Sequence, residues 1–157
     1  PPRSTLFPYT TLFRSDKANG NRYLGEIVEH HISGQMKIAP EHTSETVLRA
    51  MRKNSRYLSD FIRQFKMLNR QCGKRQFLTY YLMAAHPGTG TKEMSELAAF
   101  LRSEIGSCPE QVQIFTPTPS TFATAMYYTG LDPETRRPIF VEKDLHKKSR
   151  QKAMIGR

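Results

Sequence analysis

Three short runs of apolar, strand-forming residues recur along this chain, and each is stopped by a polar bend. Met36-Lys37-Ile38-Ala39 runs into Pro40 and then Glu41-His42-Thr43. The nearly continuous apolar run from Phe77 to Ala85, FLTYYLMAA, stops at His86-Pro87-Gly88-Thr89, and the run from Gln111 to Phe115 stops at Thr116-Pro117-Thr118-Pro119-Ser120-Thr121. Residues at helical spacing separate the runs. Strands alternating with helices predict an α/β fold in which parallel strands are joined by right-handed crossovers. In such folds the carboxyl ends of the strands line up along one rim, and ligands bind there. The polar bends are therefore the first place to look for function.

The helical segments can be placed from their apolar stripes. Between Arg22 and Ile32, residues Tyr23, Leu24, Ile27, Val28 and Ile32 share a face, and Ser33-Gly34 supplies the stop. Thr43 or Ser44 is suited to cap a second helix, with Glu45 in its first turn and Val47, Leu48 and Met51 inward. From Tyr57 to Arg70, Leu58, Phe61, Ile62, Phe65 and Leu68 form the clearest stripe, with Asn69 off it and Gly73 at the expected C-terminal cap. Thr91 is suited to cap a further helix whose inner face is Met94, Leu97, Ala98 and Leu101, with Gly106 after it.

Size limits what this alternation can build. At 157 residues the chain is well short of the roughly 250 of a complete (β/α)₈ barrel, and three strands cannot close one. The expectation is a part of a larger sheet. No apolar run approaches the roughly 20 residues that span a bilayer, and the amino terminus lacks a signal-peptide layout, so the chain reads as cytoplasmic, with no membrane partner. The two cysteines, Cys72 and Cys108, are too few for a disulfide framework, and no Cys/His spacing resembles a zinc or cluster site, so any metal must be held elsewhere. Residues 1–15, PPRSTLFPYTTLFRS, differ in character from the rest, and Thr5 to Ser15 resembles the translation of a sequencing-adapter oligonucleotide. They are set apart as a non-native leader. The expected organisation is that leader, an α/β region over 16–130, and a basic extension over 131–157.

Three motifs carry a family resemblance: KIAPEHTSETVLRAM (Lys37 to Met51), YYLMAAHPGTGTKEM (Tyr80 to Met94) and EQVQIFTPTPSTFATAMYYTGLDP (Glu110 to Pro133). Together they resemble the successive late strands of a radical S-adenosylmethionine (radical SAM) enzyme of the YgiQ family. The third motif, with its MYYTGLDP, is the most specific, and the likeness covers nearly everything from Tyr23 to Pro133. It implies a TIM-like partial (β/α)₆ barrel that binds S-adenosylmethionine and a [4Fe-4S] cluster. The family's cluster is held by cysteines at CxxxCxxC spacing, and this chain has no such motif. The resemblance thus implies the carboxyl-terminal half of the barrel. The missing amino-terminal half of the same polypeptide is then its partner and the source of the cluster ligands, and this piece alone is expected to be inactive.

The same resemblance implies roles for rim residues. Glu41 and Ser44 match positions near the ribose and aminocarboxylate of the cofactor; otherwise Glu41 is a solvated first-turn residue and Ser44 a helix cap. His86, Gly88 and Thr89 match the next strand's rim, where glycine permits close backbone approach, although His-Pro-Gly is also an ordinary turn. Thr116 and Thr118, with Ser120 and Thr121, match a strand end near adenine, against the alternative of local hydrogen bonding in a proline-rich bend. His42 reads as a solvated loop histidine, with donation to substrate or cofactor as the alternative, and Tyr127 and Tyr128 read as packing aromatics. The substrate is not legible. A rival reading starts from charge. Lys and Arg exceed Asp and Glu by 10, and half of that excess lies in KDLHKKSRQKAMIGR (143–157). The tail suits either a non-enzymatic nucleic-acid-binding module or a solvated helix that docks on the missing part of the protein.

Overall fold

The computed structural model describes residues 19–53, 57–106 and 111–156. The leader 1–15 and Cys108 lie outside these. In chain order the elements are α1 (Gly20–Glu26), which widens into a π-helical turn over Ile27–His31, β1 (Gln35–Glu41), α2 (Glu45–Ala50) and α3 (Leu58–Gln71). There follow β2 (Phe77–Ala84), α4 (Thr91–Phe100) with a second π-helical turn over Leu101–Ile105, β3 (Gln111–Ile114), α5 (Phe122–Thr129) and α6 (Leu145–Ala153). Among the described residues the three strands form one sheet in the order β1-β2-β3. β2 and β3 pair in parallel, with Tyr81 opposite Gln111 and Ala84 opposite Ile114. At the start of β2 the Phe77 N–H donates to the Gly34 carbonyl just before β1, so these two strands begin side by side and run the same way.

The α/β class and the parallel direction follow the sequence expectation, and the differences are local. β1 runs on through Pro40 to Glu41, because an edge strand can spare the N–H that proline lacks. β2 ends at Ala84 and β3 at Ile114, one residue before the expected Ala85 and Phe115. Gly90, rather than Thr91, is the N-cap of α4, and its N–H donates to the Glu93 carboxylate at 2.9 Å. Gly73 does follow α3 in the left-handed conformation, at φ +64°.

The chain divides into two compact units. The first takes residues 19–39 and 57–80, with the amino-terminal parts of β1 and β2. Its core is Leu24, Val28, Met36, Ile38, Leu58, Phe61, Ile62, Phe65 and Tyr80. Tyr23 faces solvent, and Asn69, expected outside the α3 stripe, is buried. It is buried because it is bonded: its side chain donates to the Phe65 carbonyl and accepts from the Gln76 N–H. Gln76 in turn donates through Nε2 to the Val28 and Ile32 carbonyls at 2.7 and 2.8 Å, which satisfies acceptors the widened end of α1 leaves over.

The second unit takes residues 40–53, 81–106 and 111–156. Its core joins Val47 and Leu48 of α2, Leu82 and Ala84 of β2, and Met94, Leu97 and Ala98 of α4 to Val112 of β3, Met126 of α5 and Ile155 after α6. The carboxyl ends of all three strands and the bends that follow them fall within this unit. Leu82 is 1% exposed and sits opposite Val112 in the middle strand. Leu82→Ala is expected to cost about 2–5 kcal/mol of unfolding free energy in denaturant titration, as for other fully buried leucines.

Candidate functional site at the strand ends

The rim is built from backbone that is held against its preference. Glu41 at the end of β1, Ala85 just past β2, and Ser120 in the bend after β3 have φ of +64°, +58° and +62°. For residues with a Cβ this left-handed conformation costs about 1–2 kcal/mol each, and it persists only where the surroundings fix it. Each turn redirects the chain at a strand tip.

At the first tip, Glu41 belongs to the strand rather than to a helix turn, and its carboxylate accepts from Lys53 Nζ at 2.5 Å. The next residue, His42, is completely buried, contrary to the solvated loop histidine expected from the sequence. The Ser44 N–H donates to His42 Nδ1 at 3.0 Å, so in the neutral ring Nε2 carries the proton. That Nε2 is buried without a hydrogen-bond partner among the described residues. Ser44 is the N-cap residue of α2 and is buried, but its side chain makes no capping bond.

The second tip, Ala85-His86-Pro87-Gly88-Thr89, is buried throughout. His86 packs edge-on against Phe115 with ring centroids 5.1 Å apart, and its Nδ1 lies 2.9 Å from the Pro87 carbonyl. Gly88 has φ +90°, and its N–H donates to the Phe140 carbonyl at 2.7 Å. A Cβ there would face Ile139 and Ala50, so the backbone turn, not room for a ligand, is what calls for glycine at this position. Thr89 is completely buried, and its Oγ1 is a second polar atom of this unit with no partner among the described residues.

The third tip is more open. Thr116 and Thr118 are exposed. The Thr116 hydroxyl lies 3.4 Å from the Ile114 carbonyl, and the Thr118 carbonyl accepts from the hydroxyls of Thr121 and Thr124. Thr121 caps α5 by accepting from the Thr124 N–H. The hydroxyls of Thr121 and Thr124 thus serve local structure in this bend. Tyr127 packs between Phe115 and Tyr128, whereas Tyr128 itself is largely exposed.

The basic extension is not a solvated tail. Lys148 and Gln151 of α6 are buried, Lys148 Nζ donates to the Tyr127 hydroxyl at 2.9 Å, and Ile155 joins the core. Gln151 bonds the second tip at both ends: Oε1 accepts from the Ala85 N–H at 2.9 Å and Nε2 donates to the Thr89 carbonyl at 3.0 Å. Sequence reading missed Gln151 because a lone glutamine in a lysine-rich run gives no signal. The faint clue was that positions 148, 151 and 155 share one helical face. Among the described residues no three His, Cys, Asp or Glu side chains gather to hold a metal ion. No helix among them is long and apolar enough to cross a membrane.

Comparison with known proteins places these tips in context. A UPF0313 protein of Fusobacterium nucleatum is 53% identical over 141 residues, covering 89% of this chain and 25% of that protein. UPF0313 proteins of Methanosarcina acetivorans and Clostridium botulinum are 48% identical over 134 residues and 44% identical over 136, covering 85% and 86% of this chain and 18% and 21% of those proteins. The chain therefore spans about a quarter or less of the length of these relatives. Residues 110–156 match the family model described as a domain of unknown function, DUF3362. No solved structure matches the chain.

Burial pulls the His42 imidazole from 6.5 down to about 4; the nearby Glu93 charge opposes that shift and His86 adds to it. Burial also lowers His86. A histidine held neutral in the native state takes up its proton only on unfolding at mildly acid pH. Stability is therefore fully present above the ordinary histidine value and is lost as pH falls from about 6.5 toward 4, by on the order of 3 kcal/mol for His42. Urea titrations across that range are expected to show the loss, and His42→Gln should flatten it. An unchanged slope in the variant would assign the loss to other groups.

Proposed function

We propose that this chain is the carboxyl-terminal part of the barrel of a YgiQ-type radical SAM enzyme, the family to which its UPF0313 relatives correspond, and that its strand tips bind S-adenosylmethionine. The observation that carries the reading is the pair of buried, unpartnered polar atoms, His42 Nε2 and Thr89 Oγ1, on consecutive strand tips of one unit. Leaving such atoms unbonded costs about 1–3 kcal/mol each, which a ligand bearing acceptors would recover. The donor set suits the cofactor. The Glu41 carboxylate offers an acceptor to ribose hydroxyls or an ammonium group, the neutral His42 offers an N–H, and the Thr89 hydroxyl offers either. Lys53 limits how much negative charge Glu41 presents.

When bound beside a reduced [4Fe-4S] cluster, S-adenosylmethionine would supply radical chemistry for hydrogen removal from a substrate. The residues described here do not fit the cluster, whose ligands belong to the other part of the polypeptide in this reading. Their work is to bind and orient the nucleoside end.

A second reading is favoured by the outward side of α6, where Lys147, Arg150 and Lys152 are exposed beside the buried Lys148. These charges suit the phosphates of a nucleic acid. Filter binding of RNA to Lys147→Glu and Arg150→Glu should then lower the salt dependence by about one phosphate contact per substitution. No binding by the unaltered protein at low salt would remove this reading.

The main reading is tested by calorimetric titration of S-adenosylmethionine into the full-length protein that carries this segment. Saturable binding is expected, weakened about tenfold by His42→Leu, the loss of roughly one hydrogen bond. Absence of binding, or an affinity indifferent to His42, would contradict it.

A further inference from the structure

We infer that Gln151 is a positioning residue for the rim, the element that holds the Ala85–Thr89 bend in its ligand-binding shape. The inference rests on the reading of the rim as an S-adenosylmethionine site. It starts from a strained residue: Ala85 is fully buried and left-handed at φ +58°, a conformation that an alanine leaves unless its surroundings determine it. Gln151 is what determines it. Its amide bridges the bend as a neighbouring strand would, with Oε1 accepting from the Ala85 N–H and Nε2 donating to the Thr89 carbonyl. A backbone donor and a backbone acceptor four residues apart, both buried, are thus satisfied by one side chain.

The side chain is itself held. Gln151 is 6% exposed, and α6 is anchored on either side of it. Lys148 one turn earlier donates to the Tyr127 hydroxyl, and its ammonium lies 4.6 Å from the centre of that ring. Ile155 one turn later is buried, and Gly156 lies against Val112 of β3. Residues 111–156, which lie within the match to a domain of unknown function, are therefore not a separate module. They belong to the same compact unit as the β2 tip, and through Gln151 they set the position of Thr89, whose hydroxyl is one of that unit's two buried atoms without a partner among the described residues.

The experiment uses the full-length protein with Gln151→Leu, which removes both bonds at similar volume, and Ile62→Ala, which opens the core of the first unit and leaves α6 and the bend intact. Two readouts separate the outcomes: hydrogen exchange at the Ala85 amide, and affinity for S-adenosylhomocysteine, a redox-inert probe. Gln151→Leu is expected to speed Ala85 exchange at least tenfold while the Leu82 amide is unchanged, and to weaken the probe at least fivefold. Ile62→Ala should lower the melting temperature as much yet leave probe affinity within twofold. Unaltered Ala85 exchange in Gln151→Leu overturns the bridge. Fast exchange with unaltered affinity, or affinity that follows melting temperature equally in both variants, overturns the positioning role. If the unaltered protein does not bind the probe, the cofactor reading fails and the positioning role with it, while Ala85 exchange still reads the bridge.

Discussion

Parallel pairing of β2 governs the rest of the structure. A strand that begins beside the start of β1 and pairs in parallel with β3 must end where its neighbours end, so the three polar bends share a rim by topology rather than by any attraction among them. What the side chains then decide is how each tip is held. The first is held by the Ser44 N–H on His42, the second by Gln151, and the third by the hydroxyls of Thr121 and Thr124. Three different fastenings support three turns in the same left-handed region.

The division of labour between apolar and polar residues follows from this. Burial of Leu82, Met94, Leu97 and Val112 supplies a core for the second unit, but apolar contacts have no direction and cannot fix a strained turn. Directed hydrogen bonds from buried polar groups do that, and the second unit is rich in them. His42, Thr89, Lys148 and Gln151 are all buried there, each in a bend or on the helix that packs on one. Two of them keep an unpartnered atom, which is where the unit is polar without being complete.

Much of this was legible in the sequence, for physical reasons. Strand and helix periodicities placed every element from β1 to α4 within a residue or two, since burial enforces a repeat of two or of about 3.6. The alternation gave the parallel sheet, and the resemblance pointed to Glu41, Ser44, His86 and Thr89 at the tips. The fates of individual polar side chains were not legible. His42 looked solvated because nothing nearby in sequence announces that it will be buried close to Glu93 of α4 and His86. Asn69 looked peripheral because its partner Gln76 lies beyond the end of its own helix. The basic tail looked detached because six Lys and Arg mask the Lys148, Gln151 and Ile155 face. Each miss is a hydrogen bond or burial that the apolar periodicity does not encode.

The account's central claim is that the tips of β1 and β2 form one nucleoside-binding rim. A crystal structure of the full-length protein with S-adenosylmethionine tests it most directly. The account predicts ribose, aminocarboxylate or adenine atoms within hydrogen-bond reach of His42 Nε2 and Thr89 Oγ1, with Gln151 still bonded to Ala85 and Thr89. A cofactor bound away from both tips, with those two atoms satisfied by protein groups from elsewhere in the chain, would contradict it.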